Sequence, residues 1–221
     1  TIAGGGGDDT LIFNSSVGGG TITLDSGADS VSFVTLMSGS TMIGGGGKQT
    51  IAFSSAADVG TFSGSFGGGF ISLGAGNENI TFQSAALTGT TILGTGDSDT
   101  IHFLGGGNTA VFGSAVGSAA QVSFGASADL ATFNGDISAA SIYGGDGKDT
   151  LDFQNIDISG GSIAGATGAD LFTGSISVGA GGVSFFSGSG NDTFNFTSVT
   201  QSGAGGTAYF WNEHGTDSIV I

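Results

Sequence analysis

The chain contains no cysteine, no proline and no arginine, and its only lysines are Lys48 and Lys148. Without cysteine there are no disulfide staples and no thiolate metal sites, a pattern that fits a secreted bacterial protein. Two cations against 18 acidic residues leave a formal charge of -16. Such a surface repels phosphate backbones, which excludes nucleic acid as a partner, and it attracts cations. A lyase built on a β-helix needs basic groups to steady a carbanion, and two lysines in turns do not supply them. No run of 18 apolar residues exists to span a bilayer, so no membrane insertion is expected, and no basic n-region with an apolar h-region opens the chain. Collagen is excluded by the missing proline and by glycine that does not fall at every third position.

What the chain does have is 47 glycines in 221 residues, roughly three times the usual share. It also has 38% apolar residues, 18 of them phenylalanine, so the low hydrophobicity of disordered segments is absent. An apolar-x-Phe ending recurs: Leu11-Ile12-Phe13, Val31-Ser32-Phe33, Ile51-Ala52-Phe53, Ile80-Thr81-Phe82, Ile101-His102-Phe103, Leu151-Asp152-Phe153 and Phe194-Asn195-Phe196. Between these lie second apolar stretches such as Ile22-Thr23-Leu24, Ile71-Ser72-Leu73 and Val122-Ser123-Phe124. Short alternating runs separated by Gly-rich turns at an even interval read as strands, not helices. Two strands and two turns per ~20 residues describe one coil of a flattened parallel β-solenoid (β-roll or β-helix), all-β and a single domain over 1–221. About ten such coils at the ~4.8 Å strand spacing make a rod roughly 50 Å long. The alternation predicts strands of about four or five residues, with Phe13, Phe33, Phe53, Phe103, Phe133, Phe153 and Phe196 lining the interior in columns. Ser32, Thr81, His102, Asp152 and Asn195 then face water.

The turns carry a second pattern. Gly144-Gly145-Asp146-Gly147-Lys148-Asp149-Thr150-Leu151-Asp152 and Gly4-Gly5-Gly6-Gly7-Asp8-Asp9-Thr10-Leu11-Ile12 both fit Gly-Gly-x-Gly-x-Asp-x-apolar-x. Near matches are Gly94-Thr95-Gly96-Asp97-Ser98-Asp99-Thr100-Ile101 and Gly188-Ser189-Gly190-Asn191-Asp192-Thr193-Phe194; weaker ones end in Asp29, Asp129, Asp170 and Asp217, and in Glu78 after Gly74-Ala75-Gly76-Asn77. In these repeats the chain resembles the RTX (repeats-in-toxin, hemolysin-type calcium-binding) β-roll family across nearly its whole length. The resemblance implies calcium as cofactor, held by Asp9, Asp29, Glu78, Asp99, Asp129, Asp149, Asp170 and Asp192, with export through type I secretion. The chemistry suits the spacing: glycine permits the φ > 0 of a tight turn that aims carbonyls inward. Calcium takes six to eight oxygens in irregular geometry. Aligned carboxylates ~5 Å apart repel by roughly 0.8 kcal/mol per pair even in bulk water. The family's coil has 18 residues with a metal-type turn on both edges, whereas here the coil is nearer 20–22 and the motif comes about once per coil. The other edge is expected to carry uncharged turns such as Gly18-Gly19-Gly20, Gly160-Gly161 and Gly181-Gly182. Gln49 stands where a carboxylate would in Gly44-Gly45-Gly46-Gly47-Lys48-Gln49 and should bind poorly. The competing reading is that each Asp ends its turn through an Asx-type hydrogen bond.

Positions 9, 29 and 49 step by 20, but 49 to 78 and 99 to 129 step by about one and a half coils. Asp58 falls half a coil after Gln49. The acidic column is therefore expected either to cross to the opposite edge around residues 50–60 and return near residue 108, or to be broken by two inserted loops. Neither His102, on an outward strand position, nor His214, in an irregular turn, joins a catalytic constellation, and no enzyme is expected. The cluster Ala208-Tyr209-Phe210-Trp211 suggests a widened last coil or a contact surface. Because Thr1-Ile2-Ala3 and Ser218-Ile219-Val220-Ile221 lie within strands, the chain is expected to be a segment of a longer repetitive protein or a subunit that stacks end to end. The leading expectation is a secreted structural protein at the bacterial surface, of S-layer, sheath or filament type, assembled with calcium. The alternatives are a calcium-triggered folding module of a larger adhesin, toxin or secreted hydrolase, and an ice-binding solenoid using Thr21, Thr23, Thr41 and Thr91.

Overall fold

A four-residue strand such as Ser30–Phe33 buries only two side chains, Val31 and Phe33, and sends Ser30 and Ser32 outward. That is too little to stand alone, so each strand must lie beside its counterpart in the next coil. The computed structural model describes residues 1–83, 87–94 and 96–221, and it is an all-β parallel solenoid of about 10 coils. Among the described residues, successive strands alternate between an 11-stranded and a 12-stranded sheet, beginning with Ile2–Ala3 in the first and Thr10–Phe13 in the second, except that Ile137–Ser138 follows Leu130–Phe133 in the second. The pairing is parallel and like residues stack on like: Leu11 on Val31, Ile80 on Ile101, Phe133 on Phe153. The coil lengthens toward the far end, where Phe172 pairs with Phe194 and Phe185 with Phe210. No helix of the described residues is long and apolar enough to cross a membrane.

The core is the space between the two sheets. All seven phenylalanines expected inside face it, Phe13 half-buried at the first coil and the others buried. They do not form one file. Phe13, Phe33 and Phe53 stack at 5.0 and 5.5 Å, and Phe112, Phe133 and Phe153 at 4.9 and 5.4 Å, all on the side of the second sheet. Phe62, Phe82 and Phe103, stacked at 4.9 and 4.8 Å, line the first sheet instead.

Strand order explains the change of side. Asp9, Asp29 and Gln49 each end a turn or open a strand on the way from the first sheet to the second, before Thr10–Phe13, Ser30–Phe33 and Gln49–Ala52. Asp58, Glu78 and Asp99 precede Val59–Gly64, Asn79–Phe82 and Thr100–Phe103, which belong to the first sheet. Asn108 and Asp129 precede second-sheet strands again. The acidic column thus crosses to the opposite edge after Gln49 and returns at Asn108, with no inserted loop. Each crossing is a half-coil step of nine residues, 49 to 58 and 99 to 108. Turn, strand and phenylalanine move together, because the ring is fixed four residues beyond the corner.

Two local expectations need correction. Several strands exceed four or five residues; Thr150–Ser159 has 10 and Thr193–Gln201 has 9, each bending over a corner without leaving its ladder. Gly18, Gly19 and Gly20 are not a turn but lie inside strand Val17–Thr23, paired to the next coil. Gly19 and Gly20, at φ 60 and 143, make the bend while those inter-coil hydrogen bonds persist.

Candidate functional site

Where the chain rounds the acidic corner, the corner residue's carbonyl accepts from the next coil, as Asp129 does from the Thr150 N–H at 2.8 Å. Its own N–H also points to the next coil, where a carboxylate and not a carbonyl receives it. Asp129 N–H donates to Asp149 Oδ1 at 2.8 Å, Asp149 to Asp170 at 2.9 Å, Asp170 to Asp192 at 2.8 Å and Asp192 to Asp217 at 2.9 Å. Asp9 donates to Asp29 at 3.1 Å in the first coils. On the opposite edge Glu78 donates to Asp99 at 3.0 Å. At each of these contacts one carboxylate oxygen therefore satisfies a backbone donor that the bend would otherwise orphan. These bonds run between coils, so the Asx reading, a bond within one's own turn, does not describe them.

The second oxygen has no such partner. Oδ2 of Asp9, Asp29, Asp99, Asp129, Asp149, Asp170 and Asp192, and both carboxyl oxygens of Glu78, are buried without a hydrogen bond. A buried carboxylate oxygen without a donor is costly, and water does not reach these. Four of these carboxylates, on Asp9, Glu78, Asp149 and Asp170, border the space left by a glycine's missing side chain. A Cβ on Gly144 would lie 2.9 Å from Asp149 Oδ2 and 2.8 Å from the Gly165 carbonyl oxygen. One coil on, Gly165 has Asp170 Oδ2 and the Ser187 carbonyl oxygen around the same point; on the opposite edge Gly76 has Glu78 Oε1 at 2.7 Å and the Ala56 oxygen at 2.9 Å. Gly144 and Gly165, the first glycines of their turns, are thus cradles edged by the carboxylate of their own coil and a carbonyl of the next, whereas at Gly76 the carbonyl comes from the coil before.

The electrostatics follow from burial. Asp149 is 1% exposed, and burial, aided by the neighbouring Asp170, Asp129 and Asp146 charges against the Asp129 N–H bond, raises its pKa to about 7. Burial brings Asp170 to about 6, with Asp192 adding repulsion. Glu78 reaches about 8 through burial and then the Asp99 carboxyl. Asp99, Asp129 and Asp192 are also raised, chiefly by burial. Lys48 and Lys148 are exposed and leave these groups uncompensated. Among the described residues no three His, Asp or Glu side chains converge on one point, so a cation here would take backbone carbonyls with its carboxylates. That donor set, all oxygen, fits a hard divalent ion.

The structure separates the eight sequence candidates into two groups. Asp9, Asp29, Asp129, Asp149, Asp170 and Asp192 share one edge, while Glu78 and Asp99 lie on the other. Thr95, within one near match, lies outside the described residues. Four further rungs were not among the candidates: Gln49, Asp58, Asn108 and Asp217. Asp58 Oδ1 accepts the Met37 N–H at 2.5 Å and its Oδ2 accepts from Ser54 N–H and Oγ, both at 3.1 Å. Gln49 Nε2 donates to the Gly27 carbonyl at 3.4 Å, with its Oε1 buried and unpartnered. The signal that marks three of them is the phenylalanine four residues on, Phe53 after Gln49, Phe62 after Asp58 and Phe112 after Asn108. His102 faces outward with Nδ1 2.6 Å from Ser123 Oγ, and His214 is exposed at a turn. Tyr209 and Trp211 are exposed, while Phe210 stacks on Phe185 at 5.3 Å.

The fold defines the class of protein, a parallel β-solenoid with carboxylates laddered along its edges. Comparison with family models, with curated proteins and with solved structures returns no match.

Proposed function

We propose that this chain is an extracellular structural repeat protein of RTX type, a rod whose coils are held together by calcium at the Gly/Asp corners. The observation that carries the reading is the file of buried, unpartnered Oδ2 atoms, once per coil from Asp129 to Asp192, two of which, on Asp149 and Asp170, lie against glycine cradles. Calcium bound between one coil's carboxylate and the next coil's carbonyls would neutralise the repulsion and tie neighbouring coils. Asp9, Asp29, Asp129, Asp149, Asp170 and Asp192 would hold it on one edge, Glu78 and Asp99 on the other. Such a rod extends along its axis by adding coils, from its own chain or from another copy. That geometry suits an S-layer, sheath or surface filament of a secreted bacterial protein, and equally a folding module within a larger adhesin, toxin or hydrolase. Millimolar calcium outside the cell would then trigger folding. Circular dichroism of metal-free protein at pH 8, before and after millimolar calcium, tests this: strand signal and melting temperature should rise together. Identical melts with calcium and with chelator would overturn the reading, and imaging for filaments in calcium separates the rod from the module.

One observation favours the ice-binding alternative. Thr21, Thr41, Thr61 and Thr81 stand in register on the outer face of the first sheet, one per coil. The file ends at His102 and its neighbours in the outward row are Thr23, Ile43 and Ser63, so it is one threonine wide. A thermal hysteresis measurement decides this alternative.

A further inference from the structure

We propose that the side-chain amide of Asn108 takes the place of a cation at its own rung, so that cation binding is divided into separate blocks by rungs that need none. The inference rests on the calcium reading above. Asn108 is 1% exposed, and its amide is fully used. Nδ2 donates to Asp129 Oδ1 at 2.9 Å and to the Gly105 carbonyl at 3.1 Å, while Oδ1 accepts the Leu87 N–H at 3.3 Å. The nitrogen therefore bridges a carbonyl of its own turn and the carboxylate of the next coil, the two kinds of oxygen a cation would join. The next rung on that edge, Asp129, has an Oδ2 that no donor meets.

Asp58 reaches the same end by other means, since Ser54 supplies two donors to its Oδ2. Both residues open a run after the column has changed edge. Among the described residues, the coil before each offers a backbone N–H, from Leu87 and from Met37, and no carboxylate. A cation there would find no carboxylate on that side, so a donor built into the turn serves better. The run through Glu78 and Asp99 and the run from Asp129 to Asp192 should then load calcium independently, on opposite edges.

The test is calcium content per chain after equilibrium dialysis, for the wild-type protein and for Asn108→Asp, both checked for strand signal by circular dichroism. Asn108→Asp removes the bridging donor and supplies a free oxygen, and it should bind one more calcium than the wild type. Uptake by the wild type with no increase in Asn108→Asp overturns this inference and leaves the calcium reading standing. No uptake by the wild type overturns both. Should Asn108→Asp fail to fold, Asn108→Ala decides: it should lower the melting temperature equally in calcium and in chelator. A loss that calcium abolishes would mean that the rung binds the ion already, and refutes the proposal.

Discussion

Replacing Asp149 by asparagine changes one thing at a rung whose geometry is otherwise kept. The amide oxygen still accepts the Asp129 N–H, and the backbone N–H at 149 still donates to Asp170 Oδ1. What disappears is a buried charge, and the Oδ2 position, beside the Gly165 carbonyl oxygen, gains a donor. The pKa of Asp149 stands at about 7 against an ordinary 3.8. Three pH units are worth about 4 kcal/mol. Relaxation of the structure around the buried group offsets part of that and leaves roughly 2 kcal/mol. Metal-free Asp149→Asn at pH 8 should therefore be more stable than the wild type, and a chain of this size should melt ~4–8 °C higher. In millimolar calcium the order should reverse, because the variant has lost a carboxylate ligand. Melts by circular dichroism under both conditions check it. An asparagine variant less stable than the wild type in both, or equal to it in both, refutes the argument that the orphaned oxygen is a liability without an ion.

Other consequences are as direct. Metal-free protein should lose stability as pH rises from about 4 to about 8: with Asp149, Asp170 and Glu78 raised to about 7, 6 and 8, the folded state binds more protons than the unfolded across that window. A melting temperature that climbs with pH there contradicts the burial of these carboxyls. Phe133→Ala removes a fully buried ring stacked on Phe112 and Phe153 and should lower unfolding free energy by about 3–5 kcal/mol; under ~1 kcal/mol in a denaturant titration would mean the column is not the core. Gly168 has φ 149, and a Cβ there would run into the Gly147 carbonyl oxygen. Gly168→Ala should cost more than ~2 kcal/mol, whereas Gly46→Ala, where a Cβ meets nothing within 4 Å, should stay within about 0.5 kcal/mol. Equal melts for the two variants would remove the turn argument.

Much of this was legible in the chain because a solenoid is nearly one-dimensional. A residue twenty places on is the neighbour in space, so the spacing of Phe13, Phe33 and Phe53 is already a list of contacts. The half-coil steps at 49 to 58 and 99 to 108 could be read as a change of edge for the same reason. The glycines of Val17–Thr23 read in the sequence as a turn, because glycine marks a bend equally well inside a paired strand and in a free turn.

Composition and period determined the parallel coil and the buried rings, since period-two alternation and an even repeat leave a strand no other arrangement, while strand order in the structure decided between a change of edge and inserted loops for the acids. Only the tertiary structure decided what the carboxylates do. Whether a buried oxygen meets a donor depends on atoms one coil away, along the axis and not along the chain. Asp58, Asn108 and Asp129 look alike as polar residues ending a turn. The first is satisfied by Ser54, the second by its own amide, and the third keeps an oxygen that nothing in the protein answers.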